Sequence, residues 1–576
     1  MASKKRPSRK AEAAEVAVAA RQRRPWWPYA AAAVAGLFFV FWAYGPSMRG
    51  PFLFDDNFAL PDANAPVSSW IHGVRPLLMC SYWLNARSAG GDTYPYHVVN
   101  VLLHYLAGVL MFFIVHRIME WSRFERTRIN WVAGFAAALF LLHPVQTEAV
   151  AYLAGRSETL SVMLFLAAYT VFLYRRTEAV SWSATAAVFL LFAAALLSKE
   201  HTIVLPALLL LTDYWWNPGF SLAGIRRNWR LYGPMVIGGV AGVAYFVPLL
   251  LHGGNAGFGL KDFTWYQYFF TQCRALFVYP LLFVIPAHQN ADWSFPISKT
   301  PLDGGAIFGL IALLALAVAA WHYRRKFPLA SFGFFAYLLL MAPTSSIVPI
   351  KDALAERRLY ISMLGLLLIV AEVLGRLKLS PQRLATACAC LALVYAGVAH
   401  ARAEVWSSEL ALWQDTAAKS PDNYRAHFQL GSAYYNAGNC SPAEAEFQKA
   451  AQLQQPGYDL LVDWGLAYDC MHQPEQALAK LRQAAALSPT AHVYTQIAKV
   501  YADSRQWDQV RDALENAVKL DPNFAATYLY RGKLELVENN VPAAIQDLRQ
   551  ALRLDPTMTD ARQDLALAES RLRPRR

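Results

Sequence analysis

The sequence predicts an all-α protein in two parts: a polytopic membrane helical domain followed by a solenoid of helical repeats. Three observations predict this. Of 576 residues, 56% are hydrophobic and only 16% charged, with a mean hydropathy of +0.23, and the long apolar runs lie almost entirely before Ala401. Basic residues cluster at the ends of those runs. Beyond Ser420, prolines return at a nearly fixed interval.

A run of ~18 or more mostly apolar residues can cross a bilayer as a helix. About eleven spans are expected, at 29–46, 97–118, 131–142, 159–174, 183–198, 202–216, 231–251, 303–321, 329–342, 359–375 and 383–400. Residues 1–28 form a basic tail containing Lys4, Lys5, Arg6, Arg9, Lys10, Arg21, Arg23 and Arg24. No small-residue cleavage site follows the first apolar run, so that run reads as a retained anchor. The other basic clusters are Arg123/Arg126/Arg128, Arg175/Arg176, Arg226/Arg227/Arg230, Arg324/Arg325/Lys326 and Arg376/Lys378/Arg383. Cytoplasmic loops concentrate Lys and Arg, so the net charge of +12 reads as topology, and nucleic acid is excluded as a partner. The amphipathic, aromatic stretch 263–285 is expected to stay at the interface, because a crossing there would put Arg324, Arg325 and Lys326 outside. The N-terminus is then cytoplasmic, the C-terminus is extracytoplasmic, and the membrane is most simply a bacterial inner membrane. The membrane domain takes residues 29–401, and a connecting helix takes 402–419.

The tail, 420–576, is built from repeats. Pro421, Pro456, Pro489, Pro522 and Pro556 are spaced by 33–35 residues, the tetratricopeptide period. Tyr434, Tyr468 and Tyr501 keep phase, as do Ala450, Ala484, Ala517 and Ala551. Small residues where paired helices touch, with a helix-breaking proline between units, suit stacked hairpins. About four repeats are expected, with a concave face for a peptide or protein; the bland alternative is a scaffold. Six cysteines without a Cys-x-x-Cys pair exclude a zinc ribbon or a thioredoxin-like centre. Cys440 and Cys470 fall near matching turns of adjacent repeats, either bonded or as two free thiols.

On this topology the chemistry-bearing segments share the outer side. Asp55 and Asp56 follow the first span; such a pair can serve as a base, coordinate a divalent cation, or mark a solvated turn. The segment LLHPVQTEAVAYLAGRSETLS carries His143, Glu148, Tyr152 and Arg156. Pro144 ends one helix and starts another, which predicts Glu148, Tyr152 and Arg156 at i, i+4, i+8 on one helical face. Lys199, Glu200 and His201 interrupt an apolar region, and Glu356, Arg357 and Arg358 enter the next span. Ionisable residues at membrane depth are functional candidates, and Arg suits phosphate through its planar fork. Arg156, Lys199, Arg357 and Arg358 are thus the candidate phosphate-binding set, with pairing to Glu148, Glu158, Glu200 and Glu356 as the structural alternative. No Walker loop and no Rossmann glycine pattern occurs. No metal site or other cofactor is predicted beyond the divalent-cation option at Asp55/Asp56.

The segments FDDNF, RPLLMCSYWLN, YHVVNVLLHYLAG, LHPVQTEAVAYLAGRSETLS, LSKEHTIVLP and AERRLYISMLG resemble, in order, the motifs of transmembrane and tetratricopeptide-repeat-containing O-mannosyltransferases and their bacterial relatives. The resemblance covers most of 50–370. It implies a GT-C-type glycosyltransferase that moves a sugar, mannose by default, from a polyprenyl phosphate to a hydroxyl of an extracytoplasmic protein, with inversion. Asp55 or Asp56 would be the base. Arg156, Lys199, Arg357 and Arg358 would stabilise the departing phosphate. Arg75, His143, Glu148, Glu200, His201, Glu356 and Tyr360 sit at motif positions in supporting roles. Its partners would be the sugar-bearing lipid, membrane lipids and an acceptor held by the repeats. The residues also admit two other readings: a GT-C transferase or ligase acting on a glycan or lipid, and a non-catalytic assembly factor.

Overall fold

The computed structural model describes residues 27–54, 56, 65–71, 73–175, 177–252 and 257–572. The chain divides into two compact units, Met1–Ser408 and Glu409–Arg576, and every described element is helical or irregular.

In the first unit, thirteen helices carry the argument: α1 Trp27–Tyr44, α2 Pro76–Ala89, α3 Tyr94–Trp121, α4 Arg126–Leu142, α5 Arg156–Leu173, α6 Trp182–Leu196, α7 Leu205–Trp216, α8 Trp229–His252, α9 Trp265–Val284, α10 Ala306–Tyr323, α11 Pro328–Met341, α12 Leu359–Arg376 and α13 Pro381–Glu404. Each apolar run expected to span is one of these helices. Among the described residues, six segments are long and apolar enough to cross a membrane, or seven if the bent pair Arg126–Leu142 and Pro144–Ala151 counts as one. Several others are shorter: α7 has 12 residues, about 18 Å at 1.5 Å per residue, against a hydrocarbon core of ~30 Å. The chain is a membrane protein. Helix α10 illustrates why: it is apolar all round, and only 6% of its spanning window is buried, a surface that suits lipid.

Close helix contacts rely on small residues. A Cβ on Gly333 would lie 2.5 Å from the Gly365 carbonyl oxygen, and one on Gly365 would lie 2.4 Å from that of Gly333, so α11 and α12 cross nearly backbone to backbone. At Gly155 a Cβ would meet the Ala149 carbonyl oxygen at 2.4 Å. That glycine lets the chain fold tightly back on itself before α5.

Helix α9 occupies the stretch expected at the interface. Near its start, Tyr268 donates to the Thr344 carbonyl at 2.5 Å; at its end, the Phe283 carbonyl accepts from His143 at 2.8 Å. The loops carrying Thr344 and His143 meet each other, since Arg357 pairs with Glu148. Each end of α9 is therefore fastened by a hydrogen bond to one of these two loops.

The expected connecting helix over 402–419 is divided. Helix α13 continues to Glu404, and a separate helix, Glu409–Lys419, opens the second unit. Trp406, 2% exposed, is buried between them in sequence. The second unit then holds four helical hairpins: Tyr424–Asn436 with Cys440–Leu453, Tyr458–Cys470 with Pro474–Leu487, Ala491–Asp503 with Trp507–Leu520, and Ala525–Val537 with Val541–Leu554. A last helix, Thr559–Leu572, follows. The in-phase alanines Ala450, Ala484, Ala517 and Ala551 are all fully buried, as helix-to-helix contact demands. Cys440 and Cys470 are bonded, with Cα atoms 6.1 Å apart, tying the first hairpin to the second.

A polar face built from separated loops

Three groups of charged and polar side chains lie where the loops 50–56, 143–158, 198–204 and 285–300 converge with 343–358. The first group surrounds the turn 152–155. Asp56 is 3% exposed; its Oδ2 accepts from the Leu53 amide at 2.9 Å and its Oδ1 from the Ala154 amide at 2.8 Å. Asn100 donates to the Tyr152 and Leu153 carbonyls, each at 3.2 Å, and Tyr82 donates to Leu153 at 2.8 Å. Arg156 is fully buried. It donates to Asn100 at 2.9 Å and to the Tyr96 and Ser81 carbonyls at 2.9 and 3.2 Å, with its guanidinium carbon 4.5 Å from the Tyr82 ring centre.

These bonds overturn the single helical stripe expected for Glu148, Tyr152 and Arg156. The short helix Thr147–Ala151 stops at Tyr152, whose ψ is 127°, and a 3-10 turn separates it from α5. Partners from Asp56, Asn100 and Tyr82 capture the main chain that a continuous helix would have used.

The second group joins α2, α5 and the 3-10 turn Glu200–Val204. Lys199 pairs with Glu158 and donates to Ser157 Oγ at 3.2 Å, while His201 Nε2 lies 3.5 Å from Glu158. Arg75 grips Glu200 with two bonds of 2.9 Å. Burial pushes the Glu200 carboxyl up, but the Arg75 hydrogen bond and charge outweigh it, leaving Glu200 below the usual carboxylate range. Burial holds the Lys199 ammonium below its usual value against the pull of Glu158.

The third group closes the cluster. Arg357 pairs with Glu148 and, at 3.0 Å, with Asp352; its amide also donates to Glu148 at 2.8 Å. Glu356 is held by uncharged donors: the Asn290 amide at 2.6 Å, Gln289 at 2.8 Å and Trp293 at 3.2 Å. Arg358 donates to Tyr268 at 3.1 Å and to the Ala353 and Asp352 carbonyls. The groups act on each other electrostatically, Lys199 of the second with Arg357 of the third, and Tyr82 of the first with Arg75 of the second.

Exposure sorts the cations. Arg75, 39% exposed, and Arg357, 31% exposed, face outward, whereas Lys199 is 15% exposed and largely enclosed. Arg156 and Arg358 are buried among carbonyls, positions that hold the loops. His143 and Tyr360 are held by other partners. His143 accepts from the Val145 amide and bonds Phe283, and Tyr360 bonds His104 at 2.9 Å. Asp55 lies outside the described residues. Sequence reasoning passed over Asn100, Tyr82, Ser157, Gln289, Asn290 and Trp293; the polar-aromatic run AHQNADW was the one visible signal. Among the described residues no three His, Cys, Asp or Glu side chains gather as metal ligands.

The tetratricopeptide-repeat family model matches residues 495–559. Across the chain, mouse protein O-mannosyl-transferase TMTC3 is 23% identical over 86% of this chain and 58% of its own length. The Caenorhabditis elegans protein O-mannosyl-transferase F38B6.6 is 26% identical over 67% of this chain and 54% of its own length. The chain thus spans little more than half the length of the curated relatives it matches. Among solved structures, the tetratricopeptide protein YrrB aligns at 21% identity and a TM-score of 0.23, over 27% of this chain and 80% of that one.

Proposed function

We propose that this chain is a membrane glycosyltransferase that moves a sugar, mannose by default, from a polyprenyl phosphate to a hydroxyl of a protein acceptor on the extracytoplasmic side. The observation that carries the reading is the convergence of Asp56, Lys199, Arg75 and Arg357 from four separate loops onto one polar face. The likeness to protein O-mannosyl-transferases, which extends over most of the chain, supports it.

In this reading an aspartate takes the proton of the acceptor hydroxyl as its oxygen attacks the anomeric carbon from the face opposite the phosphate. The carbon–oxygen bond to the phosphate breaks, and the configuration inverts. Asp56 already engages two main-chain amides, which favours Asp55 as the base and Asp56 as the residue that positions the turn. Lys199, Arg75 and Arg357 hold the phosphate and take up the charge that grows on it. Their carboxylate partners Glu158, Glu200 and Glu148 keep them placed. Arg156 and Arg358 fix the loops from behind. The solenoid presents the acceptor along its concave face. The N-terminus is cytoplasmic, about eleven crossings put the repeats on the opposite side, and a bacterial inner membrane is the setting.

The test is transfer in vitro from radiolabelled polyprenyl-phosphate-mannose. Asp55→Asn and Asp56→Asn, singly and together, are expected to lose transfer while the protein inserts normally. Undiminished transfer by the double variant would remove the proposed base.

A further inference from the structure

His201 is a side chain of the polar face to which the proposed reaction gives no task. It lies in the 3-10 turn Glu200–Val204, with 6% of its side chain exposed. Both ring nitrogens are buried, and neither has a hydrogen-bond partner. Nε2 stands 3.5 Å from Glu158 Oε2, beyond good hydrogen-bond length. The other Glu158 oxygen pairs with Lys199. A buried donor or acceptor left unmet costs ~1–3 kcal/mol, so an orphaned imidazole beside a carboxylate is a place where a ligand group completes the bonding.

We propose that His201 and Glu158 together seat a hydroxyl of the donated sugar, the one on the carbon next to the phosphate-bearing carbon; this rests on the donor being a polyprenyl-phosphate sugar. An alcohol both donates and accepts. The carboxylate takes its proton in a hydrogen bond, and the imidazole N–H donates to its oxygen. Phosphate fits this pair poorly, because it would bring negative charge against Glu158. Lys199 connects the two subsites. Its ammonium has three N–H groups, of which Glu158 and Ser157 use two, leaving the third for phosphate. Phosphate and hydroxyl then bind neighbouring groups, which the carbon beside the anomeric one satisfies. Burial takes the His201 pKa down to about 4, with Glu158 pulling the other way, so the imidazole is neutral near pH 7 and reads a hydroxyl by geometry. Buried sites that hydrogen-bond a substrate hydroxyl discriminate strongly against analogues lacking it.

The experiment uses the full-length protein in lipid nanodiscs and measures binding by intrinsic tryptophan fluorescence. The probes are polyprenyl-phosphate-mannose, its 2-deoxy analogue and bare polyprenyl phosphate. Wild type is expected to prefer the mannosyl lipid over the 2-deoxy lipid by at least ~30-fold, and His201→Ala to erase that preference while leaving affinity for the bare phosphate within ~threefold. His201→Gln, which keeps an N–H, is expected to retain part of the preference. Equal binding of the two sugar lipids by wild type overturns the proposal. So does a His201→Ala variant that keeps the preference, or that weakens the bare phosphate as much as the mannosyl lipid. In those cases the donor reading still stands, because the mannosyl lipid binds. A folded wild type that binds neither sugar lipid overturns both.

Discussion

Helices α5 and α7 carry a buried polar cluster at each end, and the two clusters are built on different principles. At one end, Asp213 in the last turn of α7 is fully buried. One of its oxygens takes Arg175 at 2.9 Å and Asn217 at 3.1 Å, and the other takes Asn228 and, at 2.7 Å, Tyr232. Arg175, just beyond α5, has a side chain only 7% exposed. The shell is closed, and every partner is another part of the same chain. At the opposite end, where α5 begins with Arg156 and the turn before α7 holds Lys199 to His201, the pairs open outward. Arg75 and Arg357 are about a third exposed, and His201 has no hydrogen-bond partner. A buried charge with a complete shell holds helices together. On the proposed function, a charge group with exposed ends and an unmet neighbour receives the donor.

That contrast can be broken most decisively at Asp213. Asp213→Ala leaves Arg175 without its carboxylate and is expected to destabilise the membrane unit by ~3–5 kcal/mol. Thermal unfolding in detergent measures it, and a change below ~1 kcal/mol would show that the closed shell is not structural. The next effect is on rate. Arg357→Gln is expected to lower transfer by ~10²–10³-fold, measured per inserted molecule in membranes. Retention of more than half the rate would move the phosphate elsewhere. A smaller effect tests the solenoid by itself. Cys440→Ser with Cys470→Ser is expected to lower the unfolding free energy of the repeats by ~2–4 kcal/mol without changing the membrane helices, which urea unfolding followed by circular dichroism resolves. The smallest effect belongs to the Arg75–Glu200 pair. Glu200 is held below the usual carboxylate range, so its contribution is present above the unfolded carboxylate value of ~4.3. It fades as pH falls through the lower folded value. With the two side chains 39% and 28% exposed, solvent screening limits it to under ~1 kcal/mol. Arg75→Ala is therefore expected to flatten the acid limb of stability slightly, and steepening it instead would reverse the sign of the pair.

Much of the fold was legible because it is written locally. The 33–35-residue proline interval marks the hairpins, since each needs one breaker between units, and the apolar runs mark the membrane helices. The candidate site was legible as a set of polar interruptions, and the alternative pairing of its cations with Glu148, Glu158 and Glu200 is realised at Arg357, Lys199 and Arg75. Partners distant in sequence were not legible. Tyr152 leaves the helical face because Asn100, some 50 residues earlier, holds its carbonyl at 3.2 Å. Glu356 was an alternative partner for Arg156, Lys199, Arg357 or Arg358; its hydrogen bonds come from neutral donors of the 289–293 loop, and the cation acting on it is Arg402. Periodicity sees residues three or four apart, and neither of these bonds has that spacing.

The tethering of α9 has a consequence for parity. In the proposed topology α9 leaves by the face it entered and adds zero to the tally of crossings, so everything after Val284 keeps the side it would have had without it. On that topology residues 265–284 can lengthen, shorten or reshape over time without inverting Arg324, the 343–358 loop or the solenoid. One extra traverse at the same place would turn all three over together.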